Sequence, residues 1–282
     1  MTAGLAAIAL WGALASLSVA AGPVPPFQMV AMTFAIGAAI GLVRARLRGL
    51  PWQALLRWPA AVWALGIGGL FGYHALYFAA LQLAPPAEAS LVSYLWPLLI
   101  VLLAAPLAGE KLGWSHLFGA TLGFAGVVLL ALGRGLGFSS DHTLGYALAL
   151  GCAFTWSTYS VLSRRFGETP TDAIASFCVA SALLSLAAHL VFERTVWPAT
   201  PVAWLAVLAL GVGPAGAAFY LWDHAVKRGD IRALGALSYA TPILSTALLM
   251  LLGLAAPTGT LIVAALLVTG GAVLASRDLW KS

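Results

Sequence analysis

The stretch that decides the fold is Ser93-Tyr94-Leu95-Trp96-Pro97, which recurs 145 residues later as Ser238-Tyr239-Ala240-Thr241-Pro242. Tyr and Pro keep their places in both copies, and the same offset aligns Trp11 with Trp156 without a gap. Rare residue types that keep one register indicate a duplication, whereas Ala and Leu matches would not. The chain is therefore predicted to consist of two related units, residues 1–137 and 138–282.

The composition places both units in a membrane. Hydrophobic residues make up 62% of the 282 residues, charged residues only 8%, and the mean hydropathy is +0.97. Soluble domains carry roughly 25% charged residues. The apolar stretches are continuous, as in Leu95–Leu107, which is typical of helices and not of barrel strands. We predict an all-α integral membrane protein with ten transmembrane helices, at approximately 3–21, 26–43, 60–82, 86–106, 114–133, 144–163, 172–192, 202–224, 231–253 and 258–276.

Positive charge is distributed unequally between the two sides. Of the 14 Lys and Arg residues, 12 fall in one alternate set of loops and ends, and only Arg134 and Arg194 fall in the other. Because cytoplasmic loops are enriched in Lys and Arg, both termini are predicted to be cytoplasmic, with Lys281 among the charges on that side. The net charge of +5 is then explained by topology. Short loops leave no room for a nucleic-acid module, so no nucleic-acid partner is expected.

An odd number of helices in each unit gives the two units opposite orientations. Such inverted repeats commonly serve alternating access around a site near the middle of the bilayer. The alternative is a duplicated scaffold with no transport role.

Interrupted helices at matching repeat positions indicate where a site would lie. Pro97 and Pro242 are predicted to kink their helices near mid-membrane, because proline removes a backbone hydrogen bond. Gly66 and Gly211 form a second matched pair. For this pair two explanations stay open, a site or close helix packing.

Eight residues at or near mid-depth are the candidate substrate-binding residues. Indole and phenol groups in hydrocarbon need hydrogen-bond partners, and an intramembrane histidine is a functional candidate by default. These features fit an amphipathic cavity, while aromatic packing between helices is the alternative. The candidates are Trp11, Tyr73, His74, Tyr77, Tyr94, Trp96, Trp156 and Tyr239.

The sequence lacks residue types and motifs that several transport and enzyme mechanisms require. None of the nine acidic residues is predicted at mid-membrane, which argues against a drug cation/proton antiporter with a buried carboxylate. No phosphate-binding loop, HExxH or CxxC motif occurs, so we expect no enzyme activity, no metal and no cofactor.

Several motifs resemble the EamA-type transporters of the drug/metabolite transporter superfamily. They are Leu10-Trp11-Gly12, Gly109-Glu110-Lys111 and the series Gly119, Gly123, Gly126. Ser93–Pro97 and Trp156-Ser157-Thr158-Tyr159-Ser160 are similar to the branch that contains aromatic amino acid exporters. The second unit departs from the pattern, because Leu254 and Ala255 replace the Gly-Glu pair.

The resemblance implies a multi-pass exporter of the bacterial inner membrane. Its substrate would be an amino acid with an aromatic or other apolar side chain, or a related small metabolite. Its partners would be that substrate and the lipid bilayer, and we expect a monomer. A broad-specificity exporter of hydrophobic drugs is the alternative.

Overall fold

The protein is helical throughout the part that the structure describes. The computed structural model describes residues 1–132, 138–254, 258–275 and 277, and these contain no β-strand. The residues that precede the expected boundary at 137/138, together with Arg134, Ala255 and Lys281, lie outside this part. The α-helices are α1 Thr2–Gly12, α2 Leu14–Ala21, α3 Pro26–Leu47, α4 Ala60–Ile67, α5 Tyr73–Leu83, α6 Pro86–Ser93, α7 Trp96–Ala108, α8 Trp114–Leu132, α9 Thr143–Arg165, α10 Ala173–Phe192, α11 Pro201–Val212, α12 Ala218–Arg228, α13 Ile231–Leu237, α14 Ala240–Leu251 and α15 Gly259–Ala275.

Eight helical stretches among these residues are long and apolar enough to cross a membrane. Several of them combine two of the helices above. They are Thr2–Ala21, Pro26–Leu47, Ala60–Leu83, Pro86–Ala108, Trp114–Leu132, Ala173–Phe192, Pro201–Arg228 and Ile231–Leu251. The other two predicted spans correspond to α9, which has 23 residues but is more polar, and to α15, which is apolar but has 17. The protein is thus a multi-pass membrane protein, and the count of ten stays a prediction.

Two stretches each contain a π-helical turn. Gly68–Gly72 separates α4 from α5, and Gly213–Ala217 separates α11 from α12. The two turns are 145 residues apart, which is the offset of the sequence repeat. Glycine and proline permit this geometry, since Pro214 has no backbone N–H to place in an α-helical bond. In the first turn, the Tyr73 N–H donates to the carbonyl oxygen of Gly68, five residues earlier, where an α-helix would pair it with the residue four earlier.

Two other stretches are interrupted near the matched prolines. Helix α6 ends at Ser93 and α7 begins at Trp96, while α13 ends at Leu237 and α14 begins at Ala240. Pro97 and Pro242 lie in the first turn of the second helix in each case, where a missing N–H costs little. Each interruption places a new helix N-terminus inside the apolar stretch.

Close helix packing accounts for the matched glycines Gly66 and Gly211. A Cβ atom on Gly66 would lie 2.4 Å from the ring of Phe177, and one on Gly211 would lie 2.6 Å from the side chain of Ile36. Both distances are too short for a side chain. Of the two explanations that the sequence left open, these contacts favour close packing.

Candidate functional site

A cavity of about 200 Å³ lies between the two halves of the chain. It is bounded by α1, α2, α5, α6, α7, α9, the second π-helical turn, α12 and the start of α14. Its walls combine aromatic rings with a few hydroxyl groups and one imidazole, and none of the described residues that line it is charged. The lining residues are Trp11, Leu14, Tyr73, His74, Tyr77, Ser90, Ser93, Tyr94, Trp96, Trp156, Pro214, Ala215, Phe219 and Thr241.

Trp11 and Trp156 form the aromatic centre of this wall. Their ring centroids are 5.6 Å apart in an edge-to-face arrangement, and Trp11 also lies 6.3 Å from Trp96. The Trp11 indole N–H donates to the carbonyl oxygen of Pro214 at 3.1 Å. Pro214 belongs to the second π-helical turn. Its carbonyl oxygen and the buried indole N–H therefore provide each other with a hydrogen-bond partner.

Tyr73 and Tyr77 lie on one face of α5, as their spacing of four residues predicts. Their rings are stacked with centroids 6.2 Å apart, and the Tyr77 and Ser90 hydroxyls are hydrogen-bonded at 2.9 Å. Tyr73 also packs against Trp156 at 5.6 Å. This face of α5 therefore joins the Ser90 hydroxyl of α6 to the aromatic centre.

His74 has a defined tautomer because its Nδ1 lies 2.7 Å from the carbonyl oxygen of Leu70. A carbonyl only accepts, so Nδ1 must carry the hydrogen, and Nε2 of the neutral ring is an acceptor. The ring packs edge-to-face against Phe34 and Tyr73. In the neutral form of the ring, the hydrogen-bond acceptor of this cavity-lining residue is therefore Nε2.

The helix interruption at residues 94–95 brings Tyr94 and Trp96 to the cavity. The carbonyl oxygen of Trp96 accepts a hydrogen bond from the Ser157 hydroxyl at 2.8 Å, which links α7 to α9. Seven of the eight candidate residues therefore line one cavity.

Tyr239 is the candidate that the structure does not bring to the cavity. It is fully buried against Phe124 of α8, and its hydroxyl accepts a hydrogen bond from the Leu98 N–H at 3.2 Å. A Cβ on Gly123 would lie 2.6 Å from the Tyr239 ring, so a glycine makes room for it. The phenol caps the N-terminus of α7 here.

Phe219 and Thr241 line the cavity although the sequence reasoning did not select them. Neither residue type stands out in an apolar helix. The repeat register would have found both, since Phe219 corresponds to His74 and Thr241 to Trp96. Leu14, Ser90, Ser93, Pro214 and Ala215 also went unselected, although Ser93 and Pro214 belong to the repeat motifs.

One cluster of charged residues lies at the end rich in Lys and Arg and does not line the cavity. Glu110 of the first half pairs with Arg164 at 2.9 Å and lies 3.9 Å from the Arg232 guanidinium, both in the second half. Asp223 pairs with Lys227 at 2.8 Å. The contacts of Glu110 with Arg164 and Arg232 join the two halves at this end.

Asp230 belongs to the same charged end and caps α13. Its carboxylate accepts from the backbone N–H groups of Arg232 and Ala233 and from the Arg232 guanidinium. Partial burial alone would raise the pKa of this carboxyl, but the Arg232 and Ala233 hydrogen bonds outweigh it and lower the pKa below its ordinary value of 3.8.

Glu88 is the buried carboxyl nearest the cavity along the chain, two residues before Ser90. It accepts a hydrogen bond from the Tyr146 hydroxyl and does not line the cavity.

Known proteins similar to this chain are membrane transporters. The chain is 54% identical over 275 residues to the aromatic amino acid exporter YddG of Ancylobacter novellus, covering 97% of this chain and 95% of that protein. It is 25% identical to a probable terminal-alkyne amino-acid exporter of Streptantibioticus cattleyicolor, over 85% of this chain and 72% of the other. A crystal structure with 52% identity superposes with a TM-score of 0.92, covering 98% of this chain and 97% of the other. The model of the EamA-like transporter family matches residues 1–132 and 143–277. The chain belongs to the EamA-like transporter family.

Proposed function

We propose that the protein exports amino acids with aromatic or other apolar side chains, and related small metabolites, across the bacterial inner membrane. The observation that carries this proposal is the cavity, which is walled by aromatic rings and edged by hydroxyls, with no charged side chain among the described residues that line it. The names of the similar exporters support the same substrate class.

The size of the cavity favours an amino acid over a drug. Sites for drug-sized ligands measure about 300–1,000 Å³, whereas this cavity measures about 200 Å³. A site of this size suits one amino acid side chain with its backbone groups. The broad-specificity drug exporter is therefore the less favoured alternative.

The polar edges of the cavity suit a zwitterion without net charge. His74 offers a neutral acceptor for an ammonium group, and the hydroxyls of Tyr73 and Tyr77 offer donors for a carboxylate. The apolar side chain of the substrate would lie against Trp11 and Trp156.

Ten transmembrane helices, in two inverted five-helix repeats with both ends in the cytoplasm, provide the scaffold of this proposal. Support comes from the π-helical turns in the 145-residue register, from the two matches to the family model and from the bias of 12 to 2 in Lys and Arg.

Alternating access explains why equivalent positions of the two halves differ. Tyr77 and Tyr94 line the cavity, whereas their counterparts Trp222 and Tyr239 are fully buried in packed surroundings. Inverted repeats that adopt two different conformations give a site open to one side and closed to the other. Exchanging those conformations would open the other side.

We infer that the closed side of the cavity is the end rich in Lys and Arg, which is cytoplasmic by the predicted orientation. Glu110, Arg164 and Arg232 join the halves there. The sequence positions related to these three by the repeat are occupied by the uncharged residues Val19, Ala87 and Ala255. Ion pairs that join the halves at this end would favour the outward-facing state when no substrate is bound.

Counterflow in proteoliposomes tests the function. Vesicles loaded with unlabelled Phe should accumulate labelled Phe, Trp and Met, and Thr more weakly. The absence of a mid-membrane carboxylate leads us to expect little effect of an imposed pH gradient. Vesicles that accumulate hydrophobic cations but none of these amino acids would instead favour the drug exporter.

A further inference from the structure

The connection between the second and third predicted spans carries a dense group of positive charges. Arg44, Arg46, Arg48 and Arg57 lie within one segment, residues 44–57, that contains no acidic residue. All four side chains are exposed. Among the described residues, only Arg48 has a carboxylate partner, which is Asp172 at 3.0 Å. The other three charges therefore have no counter-ion within the described part of the chain.

A shallow groove on the surface of α3 ends at two of these arginines. Its lining residues are Ala39, Ile40, Val43, Arg44, Leu47 and Arg48. They recur every three or four residues, so they form one face of the helix. Val43 and Leu47 are 59% and 83% exposed, which leaves them open to the surrounding lipid. The groove is thus apolar along its length and positively charged at its end.

The charge and shape of this face fit an anionic phospholipid. Arg44 and Arg48 are one helical turn apart, about 6 Å along the axis, so both guanidinium groups can reach one phosphate. Guanidinium groups bind phosphate oxygens through paired hydrogen bonds. Apolar side chains one turn deeper in the membrane would lie along an acyl chain. Groups of four or more Lys and Arg beside a membrane-spanning helix are typical of sites for anionic lipids.

We propose that an anionic phospholipid binds in this groove, with its phosphate between Arg44 and Arg48 and an acyl chain along Ile40 and Val43. Among the described residues, Asp172 takes up only the Nη1 group of Arg48, which leaves Nε and Nη2 for the phosphate. Asp172 directly precedes α10, so the lipid would reinforce the link between α3 of the first half and α10 of the second. The inference does not depend on which substrate the protein transports.

Native mass spectrometry of the detergent-purified protein tests the proposal. The wild type is titrated separately with dioleoylphosphatidylglycerol, which is anionic, and dioleoylphosphatidylcholine, which has no net charge. The first phosphatidylglycerol should bind at least about tenfold more tightly than phosphatidylcholine, as expected for hydrogen bonds between charged groups. Arg44→Gln should reduce this preference, and Arg44→Gln/Arg48→Gln should abolish it.

A matched control separates the groove from general attraction to positive charge. Arg165→Gln/Arg228→Gln removes two other exposed arginines from the same end of the protein and should keep the wild-type preference. Loss of the preference in this control to the same extent would overturn the proposal. A wild type that binds both lipids equally would also overturn it.

Two further comparisons complete the test. Glycerol 1-phosphate carries the same phosphate without acyl chains and should not displace phosphatidylglycerol; displacement at equal concentration would indicate a site for free phosphate and overturn the lipid assignment. Arg44→Gln leaves the ion pair of Arg48 with Asp172 in place. It therefore decides the question if the double variant fails to fold, and an unchanged lipid preference in Arg44→Gln would then contradict the proposal.

Discussion

Replacement of Trp156 should damage folding as well as transport. The side chain is 4% exposed, and its ring contacts those of Trp11, Tyr73 and Phe219, among others. Large-to-small substitution of a buried Trp costs about 3–5 kcal/mol. Trp156→Ala should therefore lower the unfolding temperature in detergent by roughly 6–20 °C, at about 2–4 °C per kcal/mol. Scanning fluorimetry of purified protein measures the shift.

A matched pair of variants makes this test specific. Trp156→Phe keeps a ring in the same space and should lose less than half as much stability, with counterflow reduced. Trp197→Ala is the control, because Trp197 is 62% exposed and stacks only on Trp204 among the aromatic residues described. Its effect should stay within about 0.5 kcal/mol. An unfolding temperature of Trp156→Ala within 1–2 °C of the wild type (about 0.5 kcal/mol) would refute the buried aromatic centre.

Three further predictions follow from single contacts. Tyr77→Ala should lose most counterflow yet fold, because Tyr77 is only half-buried; normal transport at matched expression would place the substrate elsewhere. Gly66→Ala should destabilise the protein by about 1–3 kcal/mol, because its Cβ would overlap the Phe177 ring; an unchanged unfolding temperature would contradict that packing. Asp230→Asn keeps the capping oxygen but removes the charge. Since the pKa of Asp230 is lowered on folding, its contribution is present above its ordinary value of 3.8 and lost as pH falls through the folded pKa, so the variant should lose less stability than the wild type on acidification from about pH 5 to 3.

Depth along a helix was predictable from the sequence, and it located half of the residues that line the candidate cavity. Counting residues from the helix ends placed Trp11, Trp96 and Trp156 near mid-membrane, and the structure brings them to one cavity. The repeat register likewise located both pairs of helix interruptions. These features depend on helical rise and on residue type, which are local properties.

The direction in which a helix face points was not predictable in the same way. Tyr94 and Tyr239 occupy equivalent repeat positions, yet only Tyr94 lines the cavity. Their difference arises from tertiary packing, since Gly123 makes room for the Tyr239 ring and Leu98 pairs with its hydroxyl. Phe219 and Thr241 were not predicted for another reason. From the sequence alone, neither an apolar ring nor a small hydroxyl has an evident cost of burial that would mark it as a site residue.

The most direct test of the central claim is to locate a bound substrate in the protein. Crystals grown with 5-bromotryptophan allow the bromine to be found by its anomalous scattering. We predict one strong peak inside the cavity, between Trp11 and Tyr77, that weakens when excess phenylalanine competes. A peak only on the lipid-facing surface, or a peak in the cavity that phenylalanine does not displace, would contradict the proposal that this cavity carries apolar amino acids.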